Sequence, residues 1–409
     1  MNSTNFDIAI IGGGPVGAAL ALALRDSKLK VCVLEALPEN AASNDARALA
    51  LSYGSRLLLD RLGVWDTLHG VSNISTIHIS QKQSFGRAVL RAAEMNVPEL
   101  GYVLPYSALQ NALSCALQYT LSPSPSPASG RGKRDSAGEG SGKLQYITGA
   151  SVTHLQGEAN HAAISYQQNG VEHTLHARLA VVADGGKLLA QQYPPEVRDY
   201  GQSALITHIT CSVPRPDTAF ERFTSQGPLA LLPFQHGYEL VWTATHQVAQ
   251  EMLAWDDARF LSELHLHFGD RVGEFLTVSK RTLFPLGLKR APHQTPMPHS
   301  VLLGNAAQTL HPVAGQGFNM GLRDAWELAQ KILDAAPETL GTEEMLAAYR
   351  RLRRTDREAG IRFTDGLVRL FSNDLPLVSA GRAAALTALD CLPFAKRYVA
   401  KRMMFGANG

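Results

Sequence analysis

The opening of the chain constrains its fold more than any other stretch. Asp7–Ile11 is a short apolar run, and Gly12-Gly13-Gly14-Pro15-Val16-Gly17 is a glycine-rich turn. Pro15–Arg25 is an Ala- and Leu-rich helical pattern, and Leu29–Leu34 is a second apolar run ending in Glu35. Strand, turn, helix and strand in that order make a βαβ unit, which calls for a parallel sheet with helices on its faces. The turn fits G-x-G-x-x-G in the context that pattern requires. Gly12 makes the turn, Gly14 lets a pyrophosphate approach, Pro15 opens the helix, and Gly17 lets helix pack on strand. Glu35 lies eighteen residues after Gly17, where an acid holds a ribose 2′-OH and repels a 2′-phosphate. These residues predict a dinucleotide site that takes NAD or FAD and disfavours NADP.

Two later segments bear on that choice. Ala180–Gly186 is a strand ending in Asp184-Gly185, which by itself is an ordinary turn. The second runs from Gly304 and Asn305 through His311 and Pro312 to Gly315, Gln316, Gly317, Phe318 and Asn319. An apolar run (Val301–Leu303) leads into it and a long amphipathic pattern (Met320–Leu333) leaves it, so a helix must begin at its end. A helix N-terminus offers unpaired N–H groups and a partial positive charge, and glycines there admit a flat or anionic group to the main chain. One cofactor gripped at both places is longer than a nicotinamide needs. FAD fits, with its pyrophosphate at the first helix, its ribityl chain near Asn305 and its ring at Gly315–Asn319. Backbone N–H groups there can stabilise negative charge on the reduced ring.

The 409 residues suffice for two domains or one large interrupted domain. A formal net charge of +2 argues against a nucleic-acid partner. The charge is uneven, with twelve Lys/Arg against five Asp/Glu from Tyr349 onward. Arg350–Arg354 and Lys396–Arg402 could face acidic headgroups or partner proteins, although a solvated helix face explains them as simply. Cys32, Cys115, Cys211 and Cys391 have no metal-like spacing and read as buried thiols in a reducing cytosol. No signal peptide or spanning segment is evident, which predicts a soluble or peripheral protein of the bacterial cytoplasm. Ser122–Gly142 contains no large apolar residue and predicts a disordered surface loop.

Arg47–Leu62 and Ser107–Leu121 have helical spacing, Ser151–Ala183 holds several strands, and the chain beyond Thr342 is helical. Gly201–Thr245 alternates like a sheet covered on one side, and Phe220, Phe223, Leu231, Phe234 and Trp242 could line a pocket or fill a core.

Taken with Asp45–Ser52, Ala219–Thr224 and Gly227–Pro233, these motifs identify a resemblance. Over nearly its whole length outside 122–142, the chain resembles the group A flavoprotein aromatic hydroxylases, and within them the ubiquinone-biosynthesis hydroxylases. The resemblance implies an α/β fold like that of p-hydroxybenzoate hydroxylase. Its Rossmann-like FAD-binding domain would comprise 1–75, 102–187 and 286–345, with a β-sheet substrate domain of 76–101 and 188–285 inserted. A C-terminal helical region would comprise 346–409. It further implies a monooxygenase in which NAD(P)H, a transient donor, reduces FAD and O2 adds at flavin C4a. The hydroperoxide then hydroxylates a polyprenylated phenol of the 2-polyprenyl-6-methoxyphenol type. Membership of a ubiquinone-biosynthesis protein complex and peripheral contact with the inner membrane are implied as well. By the same resemblance Arg47, Gln110, Asp184 and Gly304 contact the cofactor, Asn305 the ribityl chain, and Pro312 and Gly315–Asn319 the flavin. His311 could assist phenol deprotonation or only shape its turn. Two departures stand out. Asn305 occupies a place where most relatives have Asp, and Leu188 and Gln191 replace a Ser and an Arg associated with pyridine nucleotide, which leaves NAD(P)H docking open. Rival readings are another ring position or phenol, a flavin-binding scaffold subunit, and an NAD-dependent dehydrogenase.

Overall fold

The computed structural model describes residues 4–38, 45, 47–82, 84–121, 144–312, 315–371 and 376–407, the side chains of 121, 369, 371 and 376–379 excepted. The loop expected at 122–142 lies outside the described residues. The elements run β1 (Thr4–Ile11), α1 (Pro15–Ala23), β2 (Val31–Glu35), β3 (Ala48–Ser52), α2 (Tyr53–Arg61), β4 (Ser72–Ile74), β5 (Thr76–Gln81) and β6 (Arg87–Arg91). There follow α3 (Ala92–Met95), β7 (Gly101–Pro105), α4 (Tyr106–Leu121), β8 (Leu144–Thr148), β9 (Ser151–Gly157), β10 (Ala162–Gln168) and β11 (Val171–Val182). Next are β12 (Glu196–Cys211), β13 (Thr218–Thr224), β14 (Gly227–Phe234), β15 (Gly237–Thr245), α5 (His246–Ala254), α6 (Asp257–Phe268), β16 (Phe275–Val278) and β17 (Thr282–Arg290). The chain ends with β18 (Ser300–Leu302), β19 (Gln308–Thr309), α7 (Gln316–Asp334), α8 (Glu343–Phe371), α9 (Pro376–Cys391) and α10 (Pro393–Phe405).

A seven-stranded sheet runs β8-β2-β1-β11-β10-β9, with β18 beside β11. Strands β8, β2, β1, β11 and β18 are parallel, and β2, β1, β18 and the C-terminal half of β11 are buried on both faces, so they read as continuous apolar runs, whereas β8 at the edge does not. The period of two divides them. Ile8, Ile10, Val31, Val33, Leu179 and Val181 meet the α1, α4 and α7 layer, whereas Ala9, Ile11, Cys32, Leu34, Ala180 and Val182 pack with residues of β9, β10 and β11. α1 is apolar all round because it lies between the sheet and α4 and α7.

A second, nine-stranded sheet runs β19-β17-β12-β15-β14-β13-β5-β6, with β16 beside β12. α5 and α6 cover one of its faces around Phe220, Leu231, Leu240, Trp242 and Phe260. This sheet continues past residue 285 through β17 and β19. A three-stranded sheet, β3-β7-β4, is interleaved in sequence with β5 and β6 of the larger sheet.

Two local expectations are corrected. Residues 48–52 form a strand, because Ala48-Leu49-Ala50-Leu51 alternates with period two and pairs with β7; the helix starts only at Tyr53, capped by Ser52. Cys32 and Cys211 are buried, but Cys115 and Cys391 are exposed.

α8 is fastened to α7 by buried ion pairs. Arg353, 1% exposed, holds Asp324 at 2.7 Å and Asp356 at 2.7 Å, and Arg323 holds Asp356 at 3.0 Å. The paired guanidinium groups hold the Asp356 carboxyl below its ordinary range despite the opposing effect of burial. No helix among the described residues is long and apolar enough to cross a membrane.

Candidate functional site

The three motifs that the sequence separates by up to three hundred residues converge at the C-terminal ends of β1, β11 and β18. Gly12 turns the chain at φ +104°, and a Cβ there would lie 2.7 Å from the Ala183 carbonyl oxygen. Gly17 packs so closely that a Cβ would lie 2.0 Å from the Gly12 carbonyl oxygen. Gly186 faces the Asn305 backbone, and Gly304 faces Val16.

Two glycines in this cluster behave differently. Gly14 caps α1 with Pro15 in its first turn, and Gly317 lies in the first turn of α7. Among the described residues a Cβ on either would meet no atom within 4 Å outside its own helix and chain neighbours. Both helices therefore present backbone to open space at their N-termini, where orphan N–H groups point outward. Glu35 ends β2 as expected, accepting from Gly13 N at 2.6 Å and Leu37 N at 2.8 Å. A carboxylate has further lone pairs to offer a ribose. Gln110 on α4 joins this end, its amide donating to the Gly13 carbonyl at 3.2 Å. Tyr146, which the sequence reading missed, stands here too. Its hydroxyl would lie 2.8 Å from a Cβ on Gly13, and burial together with nearby Glu35 pushes it up to about 12. Asn305 is exposed and makes no side-chain hydrogen bond among the described residues. These open backbone faces, the acid and the unengaged amide fit an adenine dinucleotide with a flavin at its far end.

Other candidates are already engaged in holding the scaffold. Both Asp184 carboxylate oxygens cap their own turn, accepting from Gly186 N at 2.8 Å, Lys187 N at 3.1 Å and Leu188 N at 2.6 Å. The Asn319 side chain accepts from Ser52 N at 2.8 Å and Ser55 Oγ at 2.7 Å, and donates to Ala50 O at 3.0 Å and Gly315 O at 2.6 Å. That uses both amide hydrogens and ties the left-handed Gly315 (φ +61°) to β3, so its side chain positions the loop. Arg47 is ion-paired with Asp45, and its guanidinium carbon lies 5.2 Å from the centroid of the Phe284 ring. Tyr106, the first residue of α4 after β7, donates its N–H to the Arg47 carbonyl. Phe318 is half-buried against the main core.

A cavity of about 310 Å³ adjoins the start of α7. His311, Pro312, Gly315, Gln316 and Asn319 form one end. The floor is the second face of the nine-stranded sheet, and the roof carries Phe363 and Leu367 of α8, Leu386 and Leu389 of α9, and Val399 and Met403 of α10. Of the five apolar residues anticipated on the alternating strands, Phe223 and Phe220 reach this cavity, whereas Leu231 and Trp242 fill the core under α5 and α6 and Phe234 a separate cluster. His311 is 1% exposed, and burial pushes it down to about 4, so it is neutral near pH 7 and a weak proton acceptor.

The sequence reading also missed Glu221. The strand register places Ile79, Glu221, Ala230 and Val241 in one row across the floor. Burial pushes this carboxyl up to about 7. The signal was present: Glu221 alternates with Ala219 and Phe223 on one strand, a carboxylate on the apolar face.

The chain matches the family described as "FAD binding domain" over residues 5–120 and 136–364. It is 32% identical to the ubiquinone hydroxylase UbiL of Rhodospirillum rubrum over 97% of this chain and 89% of that protein. It is 29% identical to the 3-demethoxyubiquinol 3-hydroxylase of Escherichia coli over 98% of this chain and 99% of that one. Its fold is shared with the p-nitrophenol 4-monooxygenase PnpA of Pseudomonas putida, at a TM-score of 0.75, 15% identity and 99% coverage of both chains. With the βαβ turn, the second helix N-terminus and the adjoining apolar cavity in place, the chain belongs to the FAD-binding family of flavoprotein aromatic monooxygenases that contains the ubiquinone-biosynthesis hydroxylases.

Proposed function

We propose that this protein hydroxylates the ring of a polyprenylated phenol in ubiquinone biosynthesis, with 2-polyprenyl-6-methoxyphenol as the substrate type. The observation that carries the reading is the apolar cavity of about 310 Å³ whose end wall is the loop leading into α7. Its size and lining suit a ring with the first part of an apolar tail. Phe363 lines the cavity and is also 38% exposed, which gives a longer tail a way out beside α8. The relatives' names add support, since both act on ubiquinone-type rings.

In this reading Gly12, Gly14, Pro15 and Gly17 hold the FAD pyrophosphate at the α1 N-terminus, assisted by Gln110, and Glu35 holds the ribose. Gly304 and Asn305 meet the ribityl chain, and Pro312 with Gly315–Phe318 face the ring. Bound FAD, once reduced by NAD(P)H, supplies the activation of O2. The protein's part is to orient the phenol, to exclude water with the apolar roof, and to direct N–H groups of the α7 N-terminus at developing negative charge. The seven-stranded layer serves the cofactor, and the nine-stranded layer serves the substrate.

The test is NAD(P)H oxidation by flavin-loaded protein with short-tailed prenyl phenols under ¹⁸O2. Substrate-stimulated oxidation with one labelled oxygen in the ring supports hydroxylation. A yellow protein that no prenyl phenol stimulates would leave the scaffold reading standing instead.

A further inference from the structure

We propose that Glu221 is the acid–base residue for the substrate's ring hydroxyl, accepting its hydrogen bond and taking its proton as the ring is attacked. This rests on the reading that a phenol occupies the cavity. The step moves one proton from the phenol oxygen to a Glu221 carboxylate oxygen. The O–H electron pair stays on the phenol and enriches the ring, and no oxidant is consumed in the transfer.

Position comes first. Glu221 sits mid-floor between Ile79 and Ala230 on the neighbouring strands, below the apolar roof of α8, α9 and α10. It makes no hydrogen bond or ion pair among the described residues, although a buried carboxylate without a partner is costly. A ligand hydroxyl is the partner that this geometry provides for.

The other polar groups of the wall are less able to serve as a base, the Thr243 hydroxyl because it does not take up a proton near neutral pH. Asn319 has both amide hydrogens engaged, and Ser52 Oγ donates to Met404 O at 2.9 Å while accepting from Ser55 N at 3.2 Å. Gln316 donates to Met403 O at 3.3 Å. His311 is the other titratable side chain among the described lining residues, and burial leaves it a weak acceptor. Glu239, on the same face of the sheet, is raised to about 7 by burial and accepts from the Ala48 backbone; the charged groups on the helices and on the neighbouring strand position are directed elsewhere. Arg222 crosses to the opposite face and donates to His267 O at 2.8 Å, Asp365 of α8 pairs with Arg198 at 2.9 Å, and Arg362 pairs with Glu358 at 3.4 Å. On α9, Arg382 donates to Leu370 O at 2.6 Å and Asp390 pairs with Lys396 of α10 at 3.1 Å. Burial alone therefore sets the proton affinity of Glu221, and it sets it close to neutrality, where a general base works best.

The test uses a 2-alkyl-4-nitrophenol, which is coloured as phenolate and itself titrates near neutral pH, bound to flavin-loaded wild type, E221Q and E221D. Glu221 and the bound phenol share one proton, so the colour change in wild type is expected at a pH at least about one unit above that in E221Q. E221D, which keeps the carboxyl, should fall between them. With authentic substrate, E221Q should lower kcat about 10²-fold or more with a smaller change in KM. Its flavin content should be unchanged and its melting temperature equal or higher, since an unpaired carboxylate is removed. Identical colour titrations in wild type and E221Q would overturn the role of Glu221 while leaving the cavity as the phenol site. Failure of the probe to bind wild type would remove the cavity reading and the proposal with it.

Discussion

Gly317→Ala separates cofactor binding from folding more cleanly than any other single change here. A Cβ at this position would meet nothing within 4 Å among the described residues outside its own helix. Gly317 is in the first turn of the 19-residue helix α7, where Ala replaces a poor helix former. The apo protein should therefore gain about 0.5–1 kcal/mol. The same methyl points into the space assigned to the flavin. Carbon atoms pack at about 3.5–4 Å, so the ring must retreat by about 1 Å or more. Hydrogen bonds from the first-turn N–H groups cannot follow such a shift at a working length near 2.9 Å. Losing one or two bonds of the kind made to charged groups costs about 1.5–3 kcal/mol each, a roughly 10- to 100-fold or greater loss of FAD affinity. The assay pairs flavin fluorescence quenching with thermal unfolding of deflavinated protein. Gly17→Ala is the control, because its Cβ would lie 2.0 Å from the Gly12 carbonyl oxygen and apo stability should collapse. Unchanged FAD affinity in Gly317→Ala would refute the placement of the flavin at the α7 N-terminus. Apo stability that fell together with affinity would refute the claim that this glycine faces open space.

Arg353→Met leaves Asp324 and Asp356 buried without their shared partner and should cost about 3–5 kcal/mol at pH 7 in chemical denaturation. In wild type the Asp356 carboxyl is held below its ordinary 3.8, so its contribution is complete above that value and fades as pH falls through the folded-state pKa; acid titration of stability should show this below about pH 4, and Asp356→Asn should lack it. Glu221 has the opposite sign. Raised from 4.5 to about 7, it binds its proton more tightly when folded, so its penalty is absent below pH 4.5 and complete above about 7. The full shift corresponds to about 3 kcal/mol, reduced to about 2 by the surface it keeps in the cavity. Glu221→Gln should thus melt several degrees above wild type at pH 8 and match it at pH 4.5. His311→Gln should leave the midpoint of the pH–rate profile between pH 6 and 8 unchanged, because burial keeps His311 neutral throughout that range; a midpoint moved by one unit would reinstate it as the base.

The legibility of this chain divides along a physical line. What depends on backbone was readable, because glycine spacing and apolar runs state where the main chain must turn, pack or stand open. Gly12 turns the chain, Gly17 packs helix against strand and Gly14 stands open, as their spacing implies for the backbone. What depends on where a polar side chain ends up was not. Asp184 and Asn319 stand in the right motifs, yet their oxygens and amide hydrogens are taken by neighbouring backbone, a local competition that no motif records. Residues 48–52 misled for a related reason. Ala and Leu favour helix in isolation, and only the pairing with β7, some fifty residues later, settles them as strand.

Glu221 marks the other edge of that line. Its strand alternates as its sequence predicts, but the large apolar residues that make the strand recognisable occur on both faces. Phe220, Leu231 and Trp242 belong to the face under α5 and α6, where an ordinary core needs them. The informative residues were the carboxylates that violate the pattern on the opposite face, Glu221 and Glu239, of which Glu221 lines the cavity. A carboxylate between Ala219 and Phe223 has no structural reason to be there, because it pairs with nothing among the described residues and its removal should stabilise the fold. A sequence keeps such a residue against its folding interest when the chemistry requires it. On a half-buried strand, then, the position to question first is the polar one on the apolar face, and in this protein that position faces the cavity beside α7.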